Sequence, residues 1–168
     1  MLIAALGYTF DMAWQPRLSL EYYYASGDDD PNDNKFDQYE RLFGGRRSDL
    51  NNTSTHGPLT PANLSAPGLR LRVKPNDRID GWFQYHRASL ASATDRWTVA
   101  KRRDPQGRSG KFIGHTLDAR MRSWLVPQRA CLEVGASALL GGDFVEQAAD
   151  KPEAEDTYFG YVQATLHF

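Results

Sequence analysis

Residues 156–168 read DTYFGYVQATLHF. In an extended chain successive side chains point to opposite faces. Tyr158, Gly160, Val162, Ala164, Leu166 and Phe168 therefore share one side, and Thr157, Phe159, Tyr161, Gln163, Thr165 and His167 share the other. The first set is apolar and the second mixed, a period of two that argues for a strand. A face this apolar, closing on an aromatic residue, must meet either a protein core or lipid.

The same period recurs upstream. Residues 1–10 set Leu2, Ala4, Leu6, Tyr8 and Phe10 against Ile3, Ala5, Gly7 and Thr9, and residues 17–26 set Leu18, Leu20, Tyr22 and Tyr24 against Arg17, Ser19, Glu21 and Tyr23. Leu69, Leu71 and Val73 alternate with Arg70, Arg72 and Lys74; Ile79, Gly81, Phe83 and Tyr85 with Asp80, Trp82, Gln84 and His86. Residues 112–125 oppose Leu117, Ala119 and Met121 to Thr116, Asp118, Arg120 and Arg122, and residues 130–140 oppose Leu132, Val134, Ala136 and Ala138 to Cys131, Glu133, Gly135 and Ser137. Seven strands result. No stretch shows a convincing helical period, and the acidic residues 146–155 contain Pro152 and lack an apolar stripe.

Composition narrows the class. Twenty Lys and Arg against 21 Asp and Glu give a net charge of −1, so charge alone selects no partner and argues against a nucleic-acid binder. Mean hydropathy is low and no apolar run reaches 18 residues, which excludes a transmembrane helix but not a membrane barrel, whose strands are only half apolar. Eight Tyr, eight Phe and four Trp suit the aromatic girdles of such a barrel. A Tyr-rich soluble β-sandwich that binds carbohydrate is the competing architecture. The single cysteine, Cys131, can form no internal disulfide.

Loop lengths favour the barrel. Connections at 11–16, 75–78 and 126–129 are short, whereas those at 27–68, 92–110 and 141–155 are long, and the two kinds alternate along the chain. Short turns on one side and long loops on the other characterise outer-membrane barrels. Strands of about ten residues, rising about 3.3 Å each and tilted by about 45°, project to roughly 23 Å, close to the apolar band of such a barrel. The predicted fold is an all-β, antiparallel, up-and-down transmembrane barrel with short periplasmic turns and long extracellular loops.

Seven is an odd number. With Phe168 in the periplasm Met1 falls at the outer surface, although bacterial barrels carry an even number of strands, at least eight. Two unpaired edges would also leave backbone groups without partners in lipid. The expectation is that residues 1–168 are the C-terminal part of one larger barrel domain whose N-terminal strands and signal peptide are absent.

Several stretches together carry a more specific resemblance. GYTFDMAWQPRLSLEYYYASGDDDPNDNKFDQ, FDQYERLFGGRR, LRLRVKPNDRI, RRDPQGRSGKFIGHTLD, LEVGASALLGGDF and FGYVQATLHF occur in this order. The set resembles the alginate export family of outer-membrane porins. The resemblance implies an 18-strand type of barrel, placed in the outer membrane of a Gram-negative bacterium, that exports an anionic polysaccharide; some family members act instead as general or selective porins. Lipid and lipopolysaccharide are implied surroundings. Phe168 is expected to serve as a signal to the barrel-assembly machinery.

If the apolar faces meet lipid, the channel receives Arg17, Glu21, Arg70, Arg72, Lys74, Asp80, His86, Asp118, Arg120, Arg122 and Glu133, together with Tyr23, Gln84, Thr116, Gln163 and His167. A cationic excess with interspersed acids suits passage of a polyuronate: cations attract its carboxylates, and the acids prevent an unbroken electrostatic trap. Cross-strand pairing among these same groups is the alternative use of them. Asp28, Asp30 and Asn32 resemble the first half of a calcium loop but lack its Gly and distal Glu. Lys101, Arg102, Arg103 and Arg108 form a basic loop cluster fit for lipopolysaccharide phosphate or polysaccharide at the outer rim, or for an ordinary solvated loop. No cofactor is expected and no enzyme: His86 and Ser89 would lie on opposite faces of a strand, and neither a phosphate loop nor an HExxH motif occurs.

Overall fold

The computed structural model describes residues 1–30, 33–40, 50, 57–148 and 156–168. These form seven antiparallel strands in one sheet, ordered as in the chain and unclosed between first and last: β1 (Leu2–Thr9), β2 (Arg17–Ala25), β3 (Leu64–Asn76), β4 (Ile79–Ser89), β5 (Phe112–Val126), β6 (Ala130–Gly141) and β7 (Thr157–Leu166). The all-β, up-and-down arrangement is that of a partial barrel. Short connections lie at one end and long ones at the other, as the sequence indicates. No second sheet covers the apolar face among the described residues, so the sandwich expectation fails. Nor is any described helix long and apolar enough to cross a membrane.

Register keeps the two faces separate across the whole sheet. Leu6 pairs with Leu20, Leu20 with Leu69, Leu71 with Phe83, Phe83 with Ala119, Ala119 with Ala136 and Ala136 with Gly160. This face remains uncovered: Leu6, Leu20, Phe83, Met121 and Val162 are all exposed. Tyr22, Tyr24 and Tyr158 stand on it near the long-loop end, and Tyr8, Phe10, Trp14 and Phe168 lie exposed at the short-turn end. An apolar band between two aromatic belts matches the lipid-facing surface of a barrel.

Two elements differ from the sequence reading. β3 begins at Leu64, five residues before the predicted start, although Pro67 lacks a backbone donor. Its early part pairs with β2, Leu64 opposite Ala25 and Pro67 opposite Tyr22, while the pairs to β4 pass from Ser65–Ser89 directly to Gly68–His86. The ladder is thus interrupted where proline cannot donate. The second difference is a single helical turn, α1 (Asp143–Gln147), in a stretch read as loop. Phe144 is wholly buried there, so packing against the sheet, not propensity, holds this turn.

The long connections fold back over the polar face. Leu50, Leu59, Leu90, Trp97, Phe144, Val145 and Ala148 form one buried cluster with Tyr23, Leu64, Ala66, Ala88, Ile113 and Leu139 of the strands. Hydrogen bonds tie the connections to one another. Asn63 donates from Nδ2 to the Ser92 carbonyl (3.1 Å) and accepts from the Ser92 amide (2.7 Å), Trp97 Nε1 donates to the Pro58 carbonyl (2.8 Å), and the Asp95 carboxylate accepts from the Asp28 amide and from Gln38 Nε2. The only described apolar core therefore sits at the long-loop end of the polar face.

Candidate functional site

Because antiparallel register places side chains of one face in rows across the strands, the polar face can be built row by row. Nearest the loop core runs Glu21, Gly68, His86, Thr116 and Leu139; next come Ser19, Arg70, Gln84, Asp118, Ser137 and Phe159. A third row crosses the whole sheet as Thr9, Arg17, Arg72, Trp82, Arg120, Gly135 and Tyr161. The fourth, toward the short turns, holds Asp80, Arg122, Glu133 and Gln163.

The first two rows are closed. Gly68 carries no side chain between Glu21 and His86, and a Cβ there would strike the His86 ring. This gap lets His86 Nε2 come within 3.7 Å of the Glu21 carboxylate, while Arg70 pairs with the same carboxylate at 3.2 Å. Arg70 also donates to Gln84, whose amide donates to Asp118 at 3.3 Å, and Ser137 donates to Asp118 from the far side. Glu21, Arg70, Gln84, His86 and Asp118 are all buried. An ion pair from β2 to β3 thus continues into hydrogen bonds that run from β3 to β6.

The last two rows are open to a cavity of about 560 Å³ lined by Gln15, Arg70, Arg72, Val73, Lys74, Asp80, Gly81, Trp82, Arg120, Arg122 and Glu133. Arg120 pairs with Asp80 (3.2 Å) and Glu133 (3.6 Å), Arg122 pairs with Asp80 (2.9 Å), and the Tyr161 hydroxyl donates to Glu133 (2.7 Å). The guanidinium groups of Arg70 and Arg120 lie 5.4 and 5.6 Å from the Trp82 ring, within cation–π range. Cations outnumber acids around this cavity, and water reaches it.

The expected channel residues therefore divide. Arg72, Lys74, Asp80, Arg120, Arg122 and Glu133 come together around one cavity, with Arg17 opposite Arg72 on the neighbouring strand. Glu21, His86 and Asp118 do not line it; they lie in the buried layer beneath the loop core. Lys74 turns toward the short connection, where its amine pairs with Asp77 at 2.7 Å. Trp82 is the residue that the channel expectation omitted, although its alternation with Phe83 already placed it on the polar face.

Loop candidates fare differently. Arg102 donates to the Val145 carbonyl and Arg103 to the Thr94 carbonyl, both at 2.8 Å, so half of the basic cluster braces the loops, while Lys101 and Arg108 remain exposed. Asp104 accepts from the Ser109 amide (2.7 Å) and hydroxyl (2.8 Å) and from the Gln106 amide (3.0 Å). The Ser109 amide leads in holding this carboxyl below the usual carboxylate range. Partial desolvation, followed by the charges of Asp95, Asp33 and Asp37, pushes the Asp28 carboxyl up. Asn32 lies outside the described residues, and among those described no three His, Cys, Asp or Glu side chains assemble as metal ligands.

The geometry is that of a lipid-compatible wall with a charged inner face. The family model for alginate export matches residues 1–159. No curated protein matches the chain.

Proposed function

Because the chain belongs to the alginate export family, we propose that it forms part of the wall of an outer-membrane channel for export or passive diffusion of an acidic polysaccharide of the alginate kind, or of small solutes. Further strands would pair with the open edges of β1 and β7 and close the barrel, and the role of the wall is passive, with no catalysis. The observation that carries this reading is the cavity bordered by Arg72, Arg120 and Arg122 behind an uncovered apolar face. Guanidinium groups offer two parallel donors to a carboxylate, whereas Asp80 and Glu133 temper the positive field so that a polyanion can leave as well as enter.

The path in this sector would run along the two rows nearest the short turns. Toward the outer surface, the loop core built around Phe144, Trp97 and Leu90 fills the polar face. Phe168, exposed beyond β7, is available to the assembly machinery in the periplasm, and lipid with lipopolysaccharide would surround the apolar band.

Conductance of the full-length protein in planar bilayers tests the reading. The wild-type channel is expected to prefer anions, and the triple variant Arg72→Glu/Arg120→Glu/Arg122→Glu should reverse that preference. Unchanged selectivity in the triple variant would refute a path along these residues.

A further inference from the structure

Among the described strand residues, Arg87 is the one charged side chain on the apolar face. It lies on β4 two residues beyond Tyr85 toward the long connections, at the edge of the aromatic belt that holds Tyr22, Tyr24 and Tyr158, and it is exposed. Arginine on a lipid face costs most at mid-membrane and little near the interfaces, so the position is tolerable. The charge nevertheless has no counterpart: among the described residues no carboxylate lies within ion-pair distance of it. Its guanidinium donates to Ser89 Oγ at 3.2 Å and lies 4.4 Å from the centre of the Phe112 ring.

A bulge assembles the surroundings of this arginine. By a period of two, Phe112 and His115 would face opposite ways. The ladder passes from Ala88–Gly114 directly to Ser89–Phe112, the extra residue Ile113 joins the buried loop core, and Phe112 emerges beside His115 with ring centres 5.0 Å apart. Gly114 permits this, since its φ is +149° and a Cβ there would strike the Leu140 carbonyl. His115 stands opposite Arg87, and its Nδ1 lies 2.7 Å from the Tyr85 hydroxyl. With that hydroxyl donating, the imidazole keeps its proton on Nε2 and offers a second donor.

Toward mid-sheet the same face hollows. Ala119, Ala136 and Gly160 are cross-strand neighbours, and with Phe83, Leu117 and Tyr158 they line an apolar groove of about 410 Å³. Leu117, at its upper edge, is two residues from His115, or about 7 Å along the strand. A cation with a planar fork of donors fits a phosphate, and an apolar groove a few ångströms deeper in the membrane fits a hydrocarbon chain. We propose that the two form a binding site for lipopolysaccharide of the outer leaflet, with a phosphate of its lipid anchor against Arg87 and His115 and one acyl chain in the groove. The site rests on the membrane reading above. It lies on the face of the sheet opposite to the charged cavity, so it holds the wall in its membrane and takes no part in the aqueous path.

Native mass spectrometry of the full-length protein in detergent micelles tests the site, with lipid A carrying both phosphates, or stripped of them, as the probe. The phosphorylated lipid is expected to bind more tightly. Arg87→Gln should weaken it roughly fivefold, the equivalent of about 1 kcal/mol for one basic residue at an anionic lipid surface, and leave the stripped lipid unchanged. Ala136→Phe fills the groove and should weaken both lipids at least about twofold, because in an apolar medium packing alone distinguishes a seated chain from a free one. The loop variant Lys101→Gln/Arg108→Gln should change either by less than about twofold. Inorganic phosphate at equal concentration should not displace the lipid. Equal affinity for the two lipids, an Arg87→Gln protein that binds as wild type does, no effect of Ala136→Phe, a larger loss in the loop variant, or displacement by inorganic phosphate would each overturn the site. The channel reading is tested separately by conductance in planar bilayers, which Arg87→Gln should leave at the wild-type value; a wild-type protein that binds the lipid but does not conduct would overturn the channel and leave the site.

Discussion

Replacing Glu21 by alanine is expected to cost about 3–5 kcal/mol of folding free energy, because it removes a carboxylate paired with a buried cation. The Glu21 and Arg70 side chains are only 7 % and 6 % exposed. Two groups converge on the Glu21 carboxylate, Arg70 from β3 and His86 from β4, and its removal takes from the buried Arg70 guanidinium the carboxylate that lies 3.2 Å away. Glu21→Gln, which keeps the shape, should fall between wild type and alanine. The measurement is urea unfolding of the full-length barrel in lipid vesicles, and Arg70→Ala completes a double-mutant cycle. Since breaking a buried pair costs more than deleting it whole, the double variant should lose less than the two single losses added together. A loss below about 1 kcal/mol for Glu21→Ala would place this pair in solvent, as surface pairs behave.

Val162→Arg is expected to cost about 2–4 kcal/mol, the penalty for arginine on the lipid face of a barrel near mid-membrane. Val162 lies in the middle of β7, opposite Val134, and is 72 % exposed. In water such a substitution on an exposed strand position would change stability by about 0.5 kcal/mol or less. Its neighbour Gln163 faces the other way, opposite Glu133, so Gln163→Arg should be nearly neutral in either medium. Vesicle unfolding of the two variants therefore separates a lipid-facing surface from a merely exposed one. Equal and small effects at both positions would count against the membrane assignment.

How much of this was legible beforehand follows from which interactions are local. Alternation is local, so the faces of β2, β6 and β7 and the unequal connections could be read from the residues themselves, and the ordered family resemblance agreed with the match over residues 1–159. The early start of β3 could not, because Ser65, Pro67 and Gly68 interrupt the apolar pattern and only pairing with Tyr22 and Tyr24 makes them a strand. Apolar residues in the long connections, such as Trp97 and Phe144, obey no period, so their joint core becomes visible only when three connections are brought together. The same holds for the site. Parity told which charges share a face, but the separation of buried Glu21, His86 and Asp118 from accessible Arg72 and Arg122 depends on what covers each row. Trp82 lies on the correct face by its alternation, but an uncharged ring carries no sign in the sequence that it borders a charged path.

That one face of this sheet meets lipid while the other meets the aqueous path is tested by a fluorophore scan along β7 of the full-length protein in vesicles. Cys131 is first replaced by alanine, and single cysteines are placed in turn at positions 160–165. Strict alternation is expected: labels at Gly160, Val162 and Ala164 are quenched by lipid-borne quenchers and shielded from water-soluble ones, and labels at Tyr161, Gln163 and Thr165 behave in the opposite way. Uniform quenching by water-soluble agents at all six positions would contradict it.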